Sequence, residues 1–194
     1  MLFTPKFSFY FVRHGETNWN KENKIMGWKD IELNDNGREE AEHAAYILKE
    51  LEIDKIYSSD LKRASETAKI IAQVCELEFE KMDGLRERSL GKYEGKTKSI
   101  GDSKGLSFLS DLNNIKDAEP YKDFERRVIN SVNKIISVGH MYPLIVSHGG
   151  VFQCLVNVLS SRKDLTCSNC EIFYFSPSVI NNNEWDIISI EHRL

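Results

Sequence analysis

The sequence lacks the features that mark several classes of protein. Its 26 Lys and Arg are outnumbered by 30 Asp and Glu, so the net charge of -4 offers no bulk attraction for nucleic acid. No apolar run approaches the roughly 20 residues that a membrane helix needs. The short apolar start lacks a small-residue cleavage site and predicts a buried strand instead of a signal peptide. We therefore expect neither a nucleic-acid partner nor a membrane partner.

Cysteine is scarce as well. Four cysteines in a chain of 194 residues are fewer than secreted disulfide scaffolds usually carry. Cys167 and Cys170 form a C-x-x-C pair, but a zinc site needs two further ligands, and the sequence has no second pair to supply them. We expect reduced thiols, no metal site and a cytoplasmic location.

The chain also has no internal repeat and no linker rich in proline, glycine and serine. Its length fits one domain over residues 1–194. One segment, at about 92–120, has weak periodicity, and such long irregular segments inside compact domains are usually functional. We interpret it as a lid or insertion over the site.

Hydrophobic periodicity indicates alternating strands and helices. The predicted strands are Phe7–Val12, Asp54–Ser58, Phe79–Met82, Pro143–Ser147, Glu171–Ser176 and Glu184–Ile190. Asn34 is a plausible N-cap for one helix, and Ser59 or Asp60 for the next. The alternation predicts an α/β fold of three layers, α/β/α, with a mostly parallel central sheet covered on both faces.

Ligands in such folds bind at the carboxyl ends of the strands. One predicted strand ends in Arg13-His14-Gly15, another ends in His148-Gly149, and a third leads to Arg63 at the start of a helix. If the first two strands are parallel neighbours, both imidazoles lie at the same edge. Two arginines and two histidines at one edge would suit an anion such as phosphate.

Each of these residues alone has a plainer interpretation. A lone histidine after a strand is usually a structural hydrogen-bonding group, and an arginine at a helix start is usually a solvated charge. Glu87, between Arg86 and Arg88, would be a surface charge, while Trp19 and Trp28 would be packing residues. Only the joint occurrence of histidines and arginines at strand ends favours a functional site.

Four segments carry a resemblance to a known family. FVRHGETNWN, YSSDLKRASETA, LRERSLGKYEG and IVSHGGV occur in this order over residues 11–151. They resemble the histidine phosphatase superfamily, in the branch of cofactor-dependent phosphoglycerate mutases and related phosphatases. The resemblance implies a phosphoglycerate mutase-like three-layer α/β fold and a small phosphorylated metabolite as substrate.

The resemblance also implies roles for individual residues. His14 would be the nucleophile that becomes phosphohistidine, with Arg13, Arg63 and His148 holding the phosphoryl oxygens. Glu87 would be the proton donor. Substrate-binding residues would be Arg13, Asn20, Met26, Gly27, Arg63, Glu87, His148 and Gly149. The Met26-Gly27-Trp28 stretch would form the loop that contacts substrate beside the phosphate.

The chemistry of phosphate esters agrees with these roles. A neutral imidazole is a competent nucleophile near pH 7. Positioned cations offset the repulsion between the attacking lone pair and the anionic phosphate, and they stabilise the loose transition state. The leaving alkoxide needs a proton from a carboxylic acid. Because the arginines supply the positive charge, we expect no metal and no cofactor.

Two departures from the family's pattern bear on the activity. Tyr93 replaces the usual Trp, and Ala118-Glu119-Pro120 replaces Gly-Glu-Ser, so position 120 offers neither a hydroxyl nor a backbone N–H. Mutases of the family tend to be longer, with a larger insertion. The short lid therefore favours a phosphatase over a phosphoglycerate mutase, which would need 2,3-bisphosphoglycerate as cofactor.

Further alternatives and the substrate stay open. A catalytically silent phospho-ligand binder would keep the cations and lose His14 or Glu87, and both are present. A metal hydrolase would show H-x-D or H-E-x-x-H ligand sets, which are missing. Basic residues of the lid would suit a second anionic group or form a solvated face. They are Lys92, Lys96, Lys98 and Lys104.

Overall fold

The computed structural model describes residues 7–97, 117–180 and 184–190. The strands of these ranges are β1 (Phe9–Arg13), β2 (Lys55–Ser59), β3 (Phe79–Met82), β4 (Pro143–Ser147), β5 (Ile172–Pro177) and β6 (Trp185–Ser189). The helices are α1 (Asn18–Lys21), α2 (Asp35–Lys49), α3 (Lys62–Cys75), α4 (Tyr121–Ser137) and α5 (Gly149–Leu159). Short 3₁₀ turns cover Asp83–Leu85 and Gly91–Tyr93.

The six strands form one sheet in the order β3-β2-β4-β1-β5-β6. The pairs β3/β2, β2/β4 and β4/β1 are parallel, whereas β5 and β6 add an antiparallel edge. In the β1/β4 register Arg13 lies beside Ser147, so His14 and His148 leave neighbouring strands at the same level. The predicted α/β fold with a mostly parallel sheet is confirmed.

Helices cover both faces of the sheet. Phe11 and Ile145 point to the core formed with α4 and α5, and Val12 and Val146 point to the core formed with α2 and α3. Burial on both faces explains why β1 and β4 are continuous apolar runs in the sequence instead of alternating ones.

The structure confirms the predicted N-cap of α2 and contradicts that of α3. Asn34 caps α2 as expected, because its side chain accepts a hydrogen bond of 2.8 Å from the Gly37 amide. The expected capping of α3 by Ser59 or Asp60 is wrong, because Leu61 occupies the N-cap without a side-chain bond.

Both expected caps of α3 are engaged elsewhere. Ser59 Oγ lies 2.9 Å from His148 Nε2, and the Asp60 carboxylate accepts two hydrogen bonds from Arg86, at 2.5 and 2.7 Å. These contacts join the end of β2 to two other parts of the site, and they take precedence over local capping.

The predicted lid at about 92–120 lies only partly within the described residues, since 98–116 fall outside them. At its edges, the Glu119 amide donates to the Ser89 carbonyl at 3.0 Å. Pro120 begins α4 without a side-chain capping bond, so the hydroxyl of the family's Gly-Glu-Ser has no counterpart there. Within the described ranges, none of the helices has the length and apolar character needed to cross a bilayer.

Phe152 tests the packing of the α5 side of the core. It is 1% exposed, and its ring centroid lies 4.5 Å from that of Phe173 and 5.6 Å from that of Phe11. We expect Phe152→Ala to lower the free energy of unfolding by about 3–5 kcal/mol in urea titrations, because it leaves a cavity. Tyr46→Ala, at a side chain that is 64% exposed, should change it by no more than about 0.5 kcal/mol. Equal effects of the two changes would contradict the packing described.

Candidate active site

Two buried histidines stand side by side at the carboxyl ends of β1 and β4. His14 is 2% exposed and His148 is 0% exposed, and their ring centroids are 5.3 Å apart at an interplanar angle of 60°. The His14 amide donates to the Ser147 carbonyl at 2.9 Å, which continues the strand pairing by one residue. The sheet itself therefore brings the two imidazoles together.

The ring of His14 is oriented by its own backbone. Its Nδ1 lies 2.8 Å from the Gly15 carbonyl oxygen, which can only accept, so we assign the proton to Nδ1. Nε2 then carries the free lone pair. The Gly15 amide in turn donates to Thr67 Oγ1 at 3.0 Å, and Asn169 Nδ2 donates to the His14 carbonyl at 2.7 Å. The loop is thus held from α3 and from the segment before β5.

Two arginines flank the histidines. Arg63 is completely buried, and its two terminal nitrogens donate to the carbonyls of Lys29 and Gly27, each at 2.9 Å. Arg13 Nη1 donates to the Cys167 carbonyl at 2.8 Å. Backbone oxygens thereby fix each guanidinium group, and no carboxylate of residues 7–97, 117–180 and 184–190 forms an ion pair with either one.

The cluster contains unpartnered polar atoms. Among the described residues, the buried side-chain nitrogen and oxygen atoms without a hydrogen-bond partner are Arg13 Nε, Arg63 Nε and His148 Nδ1. Ser59 Oγ accepts from the Leu61 amide at 3.3 Å, so its own proton can be donated to His148 Nε2, which leaves Nδ1–H as a donor. Buried donors without partners are costly. Three of them in one cluster fit a ligand with several acceptor oxygens.

Burial and positive charge control the protonation of both histidines. Burial, followed by the Arg63 and Arg13 charges, lowers the pKa of His14 well below its usual value, against a raising effect of the Gly15 carbonyl. Burial also lowers the pKa of His148 well below its usual value, with added repulsion from Arg63 and His14. The pKa of Arg63 falls to about 10, mainly through burial, so Arg63 keeps its charge at pH 7.

Glu87 approaches the cluster from the segment after β3. Its carboxylate accepts hydrogen bonds from the Gly150 amide at 2.9 Å and from the Arg88 amide at 2.8 Å. A Cβ built on Gly150 would overlap the Glu87 carboxylate, so a larger residue at this position would displace that carboxylate. The carboxylate is therefore tied to the first turn of α5, directly after His148.

The remaining predicted binding residues lie around the loop after His14. Asn20 accepts hydrogen bonds from the Thr17 amide at 3.1 Å and hydroxyl at 3.0 Å, and it closes the capping box of α1. Thr17 Oγ1 also lies 3.3 Å from Met26 Sδ. The structure thus gives Asn20 a structural contact, and its predicted contact with substrate stays a prediction.

Two glycines among the predicted residues sit close to charged groups. Gly27 has φ +51°, a conformation that favours glycine, and its carbonyl accepts from Arg63. A Cβ on Gly149 would lie 3.7 Å from Arg13 Nε, so the α5 backbone runs directly beside that guanidinium.

Sequence reasoning missed two residues that touch Glu87. Trp28, interpreted above as a packing residue, is 41% exposed, and its Nε1 donates to the Glu87 carbonyl at 2.7 Å. Arg127 of α4 donates to the same carbonyl at 2.8 Å. The resemblance pointed to the loop that contains Trp28, but it gave no indication of the contact with Glu87. Nothing local distinguishes Arg127 from Arg126.

The fold and the cluster define an α/β protein in which two histidines and two arginines meet at the carboxyl ends of neighbouring parallel strands. The family model of the histidine phosphatase superfamily (branch 1) matches residues 9–188, and the chain belongs to this family.

Individual relatives carry both mutase and phosphatase names. "Phosphoglycerate mutase-like protein 4" of Arabidopsis thaliana is 35% identical over 188 residues, which cover 91% of this chain and 81% of the relative. "Probable phosphoglycerate mutase GpmB" of Escherichia coli O1:K1 / APEC is 33% identical over 175 residues, 84% of this chain and 81% of the relative. The native structure of mycobacterial glucosyl-3-phosphoglycerate phosphatase is 23% identical, with a TM-score of 0.78 over 94% of this chain and 97% of that one.

The lowered pKa values of both histidines predict an acid-sensitive fold. Unfolded histidines titrate near pH 6.5, whereas the folded ones resist protonation, so the unfolded state binds more protons below that pH. The free energy of unfolding should fall as the pH decreases from 7.5 to 5.5. In His148→Asn this fall should be smaller by about 1 kcal/mol, as measured by urea titration in phosphate-free buffer. The prediction fails if His148→Asn and the double change with His14→Asn keep the wild-type pH dependence.

Proposed function

We propose that this protein is a phosphatase that hydrolyses small phosphate monoesters through a phosphohistidine on His14. The observation that supports this most directly is the set of three unpartnered buried nitrogens on Arg13, Arg63 and His148, grouped around a neutral His14. A phosphoryl group offers acceptor oxygens to these nitrogens, and its phosphorus is an electrophile for the His14 lone pair. Neither a metal ion nor an organic cofactor is part of the proposal.

In the first step, His14 Nε2 attacks the phosphorus of the bound ester. An N–P bond forms, the P–O bond to the alcohol breaks, and the leaving oxygen takes a proton from the Glu87 carboxyl group. The two arginines and His148 stabilise the charge on the transferring phosphoryl oxygens. Because the Gly15 carbonyl fixes the His14 ring, the attack needs little reorganisation.

In the second step, water hydrolyses the phosphohistidine. The Glu87 carboxylate accepts one proton from the water, the oxygen bonds to phosphorus, and the N–P bond breaks. His14 regains its lone pair, Glu87 regains its proton, and inorganic phosphate leaves. The same carboxyl group serves both steps, because the proton that it gives to the leaving oxygen is regained from water, while the Gly150 and Arg88 amides hold it in place.

A phosphoglycerate mutase is the second candidate, because the relatives from Arabidopsis thaliana and Escherichia coli that are described above carry mutase names. A mutase must be primed by 2,3-bisphosphoglycerate and must keep water away from its phosphohistidine. We prefer hydrolysis because the segment at about 92–120 is short in the sequence, whereas mutases of the family tend to carry a larger insertion.

Turnover with excess chelator tests the proposal. We expect the wild type to release inorganic phosphate from p-nitrophenyl phosphate and from a panel of alkyl phosphates, and to carry acid-labile phosphate during turnover. His14→Ala should abolish both signals, since it removes the nucleophile. His43→Asn, at an exposed position of α2, is the matched control and should keep both.

The other candidates give different results in the same assay. Interconversion of 3- and 2-phosphoglycerate that depends on added 2,3-bisphosphoglycerate would replace the phosphatase with the mutase. Binding of phosphate esters without turnover would identify a catalytically silent binder. Loss of activity on chelation would contradict metal independence.

A further inference from the structure

Glu87 lies outside the strands and helices, so its position depends on hydrogen bonds from other parts of the chain. The residue follows the 3₁₀ turn Asp83–Leu85, in a stretch with no regular backbone pairing. Two side chains from distant parts of the chain bind its carbonyl oxygen, Trp28 through Nε1 at 2.7 Å and Arg127 through Nη2 at 2.8 Å. The carbonyl therefore has both of its acceptor sites occupied.

Arg127 fastens the whole segment before Glu87. Its five N–H groups all have partners: Nη1 donates to the carbonyls of Gly84 and Arg86, and Nη2 donates to Glu87 and to Glu119 Oε2. Nε donates to Glu119 Oε1 at 2.6 Å. A guanidinium group with three backbone carbonyls and one carboxylate is a rigid fork that lysine cannot reproduce.

Trp28 reaches the same carbonyl from the loop that contains Gly27 and Lys29. Its ring lies under two guanidinium groups, with Arg86 at 5.0 Å and Arg127 at 5.9 Å from the ring centroid. Its backbone amide donates to Glu94 Oε1 at 2.9 Å. The carbonyls on either side of it, of Gly27 and Lys29, accept from Arg63. The loop around Trp28 thus contacts both Arg63, which would bind phosphate, and the backbone of Glu87, which would donate the proton.

The carbonyl contact is transmitted to the carboxyl group through one planar peptide. The Glu87 carbonyl and the Arg88 amide belong to the same peptide unit, and this amide donates to the Glu87 carboxylate at 2.8 Å. Rotation of the peptide plane would move the amide away from the carboxylate. Hydrogen bonds to the Glu87 carbonyl therefore also fix the direction of the Arg88 N–H at the other end of the peptide unit.

We propose that Trp28 and Arg127 are positioning residues for acid catalysis, which set the place of the Glu87 carboxyl group by holding its peptide plane. The proposal rests on the proposed function, since it gives Glu87 a proton to donate. This positioning role requires no contact of either side chain with substrate. A displacement of about 1 Å at a reacting group can lower the rate about 100-fold. Loss of one of the two hydrogen bonds to the Glu87 carbonyl should therefore lower the rate measurably.

The dependence on the leaving group separates positioning from a structural role. An alkoxide needs a proton when the P–O bond breaks, whereas p-nitrophenolate is a stable anion that leaves without one. The value of kcat/KM covers the steps up to phosphoryl transfer, and it excludes the later hydrolysis of phosphohistidine in which Glu87 also takes part. We therefore compare kcat/KM for an alkyl phosphate with kcat/KM for p-nitrophenyl phosphate.

Trp28→Phe keeps an aromatic ring beside the guanidinium groups and removes the Nε1–H donor together with the pyrrole part of the indole. We expect about 10-fold lower kcat/KM for the alkyl phosphate and a change of less than about 2-fold for p-nitrophenyl phosphate. Glu87→Gln should show the same selectivity with a larger loss. Trp19→Phe is the matched control, because Trp19 packs beside Gly95, and it should leave both values unchanged.

A second pair of variants covers the possibility that a change at Trp28 disturbs its loop. Arg127→Lys keeps the charge and loses the fork, and it should reproduce the selective loss on the alkyl phosphate. Arg126→Lys, at the neighbouring position that pairs with Asp123, should behave like the wild type.

The outcomes distinguish the proposal from the proposed function. If the wild type hydrolyses neither ester, the phosphatase is wrong and the positioning role is rejected with it. If the wild type hydrolyses both, and Trp28→Phe and Arg127→Lys lower both values equally or lower neither, the positioning role alone is overturned. Selective loss on the alkyl phosphate in both variants supports it.

Discussion

The site depends on one electrostatic constraint, the gathering of two guanidinium groups and two imidazoles in a buried cluster. The cluster is tolerated because burial and the arginines lower the pKa of both histidines, which limits its positive charge. Arg63 stays buried because two backbone carbonyls accept its terminal N–H groups. A phosphoryl group would meet positive charge that is already in place, so little reorganisation is needed when charge develops in the transition state.

The part of this arrangement that depends on the sheet could be predicted from the sequence. Strands β1 and β4 are buried on both faces, so their apolar runs stand out, and the residues that follow them are readily located. Their adjacency cannot be deduced from periodicity, and the histidine-glycine endings only made it plausible. The cap of α3 was predicted wrongly, because His148 and Arg86 engage Ser59 and Asp60 from far along the chain.

The part that depends on loops could not be predicted in this way. Cys167 and Cys170 drew attention as thiols, yet burial raises the pKa of Cys167 to about 12, and the segment contributes through its backbone. The Cys167 carbonyl accepts from Arg13, and the Cys170 amide donates to the Arg13 carbonyl at 3.0 Å. The roles of Glu87 and Asn20 came from resemblance to a family, because local residue patterns contain no information about such distant contacts.

The two halves of the site therefore have different mechanical support. The half that would bind phosphate rests on neighbouring parallel strands, whereas the half that would supply the proton rests on irregular backbone fastened by Trp28 and Arg127. A strand end tolerates little change, since a shift of register moves every side chain. Loops and the segments that cover a site can change without disturbing the sheet. The mycobacterial phosphatase structure shares this fold, and the relatives with mutase names share about a third of the sequence, so we expect the difference between hydrolysis and transfer to lie in the access of water to the phosphohistidine.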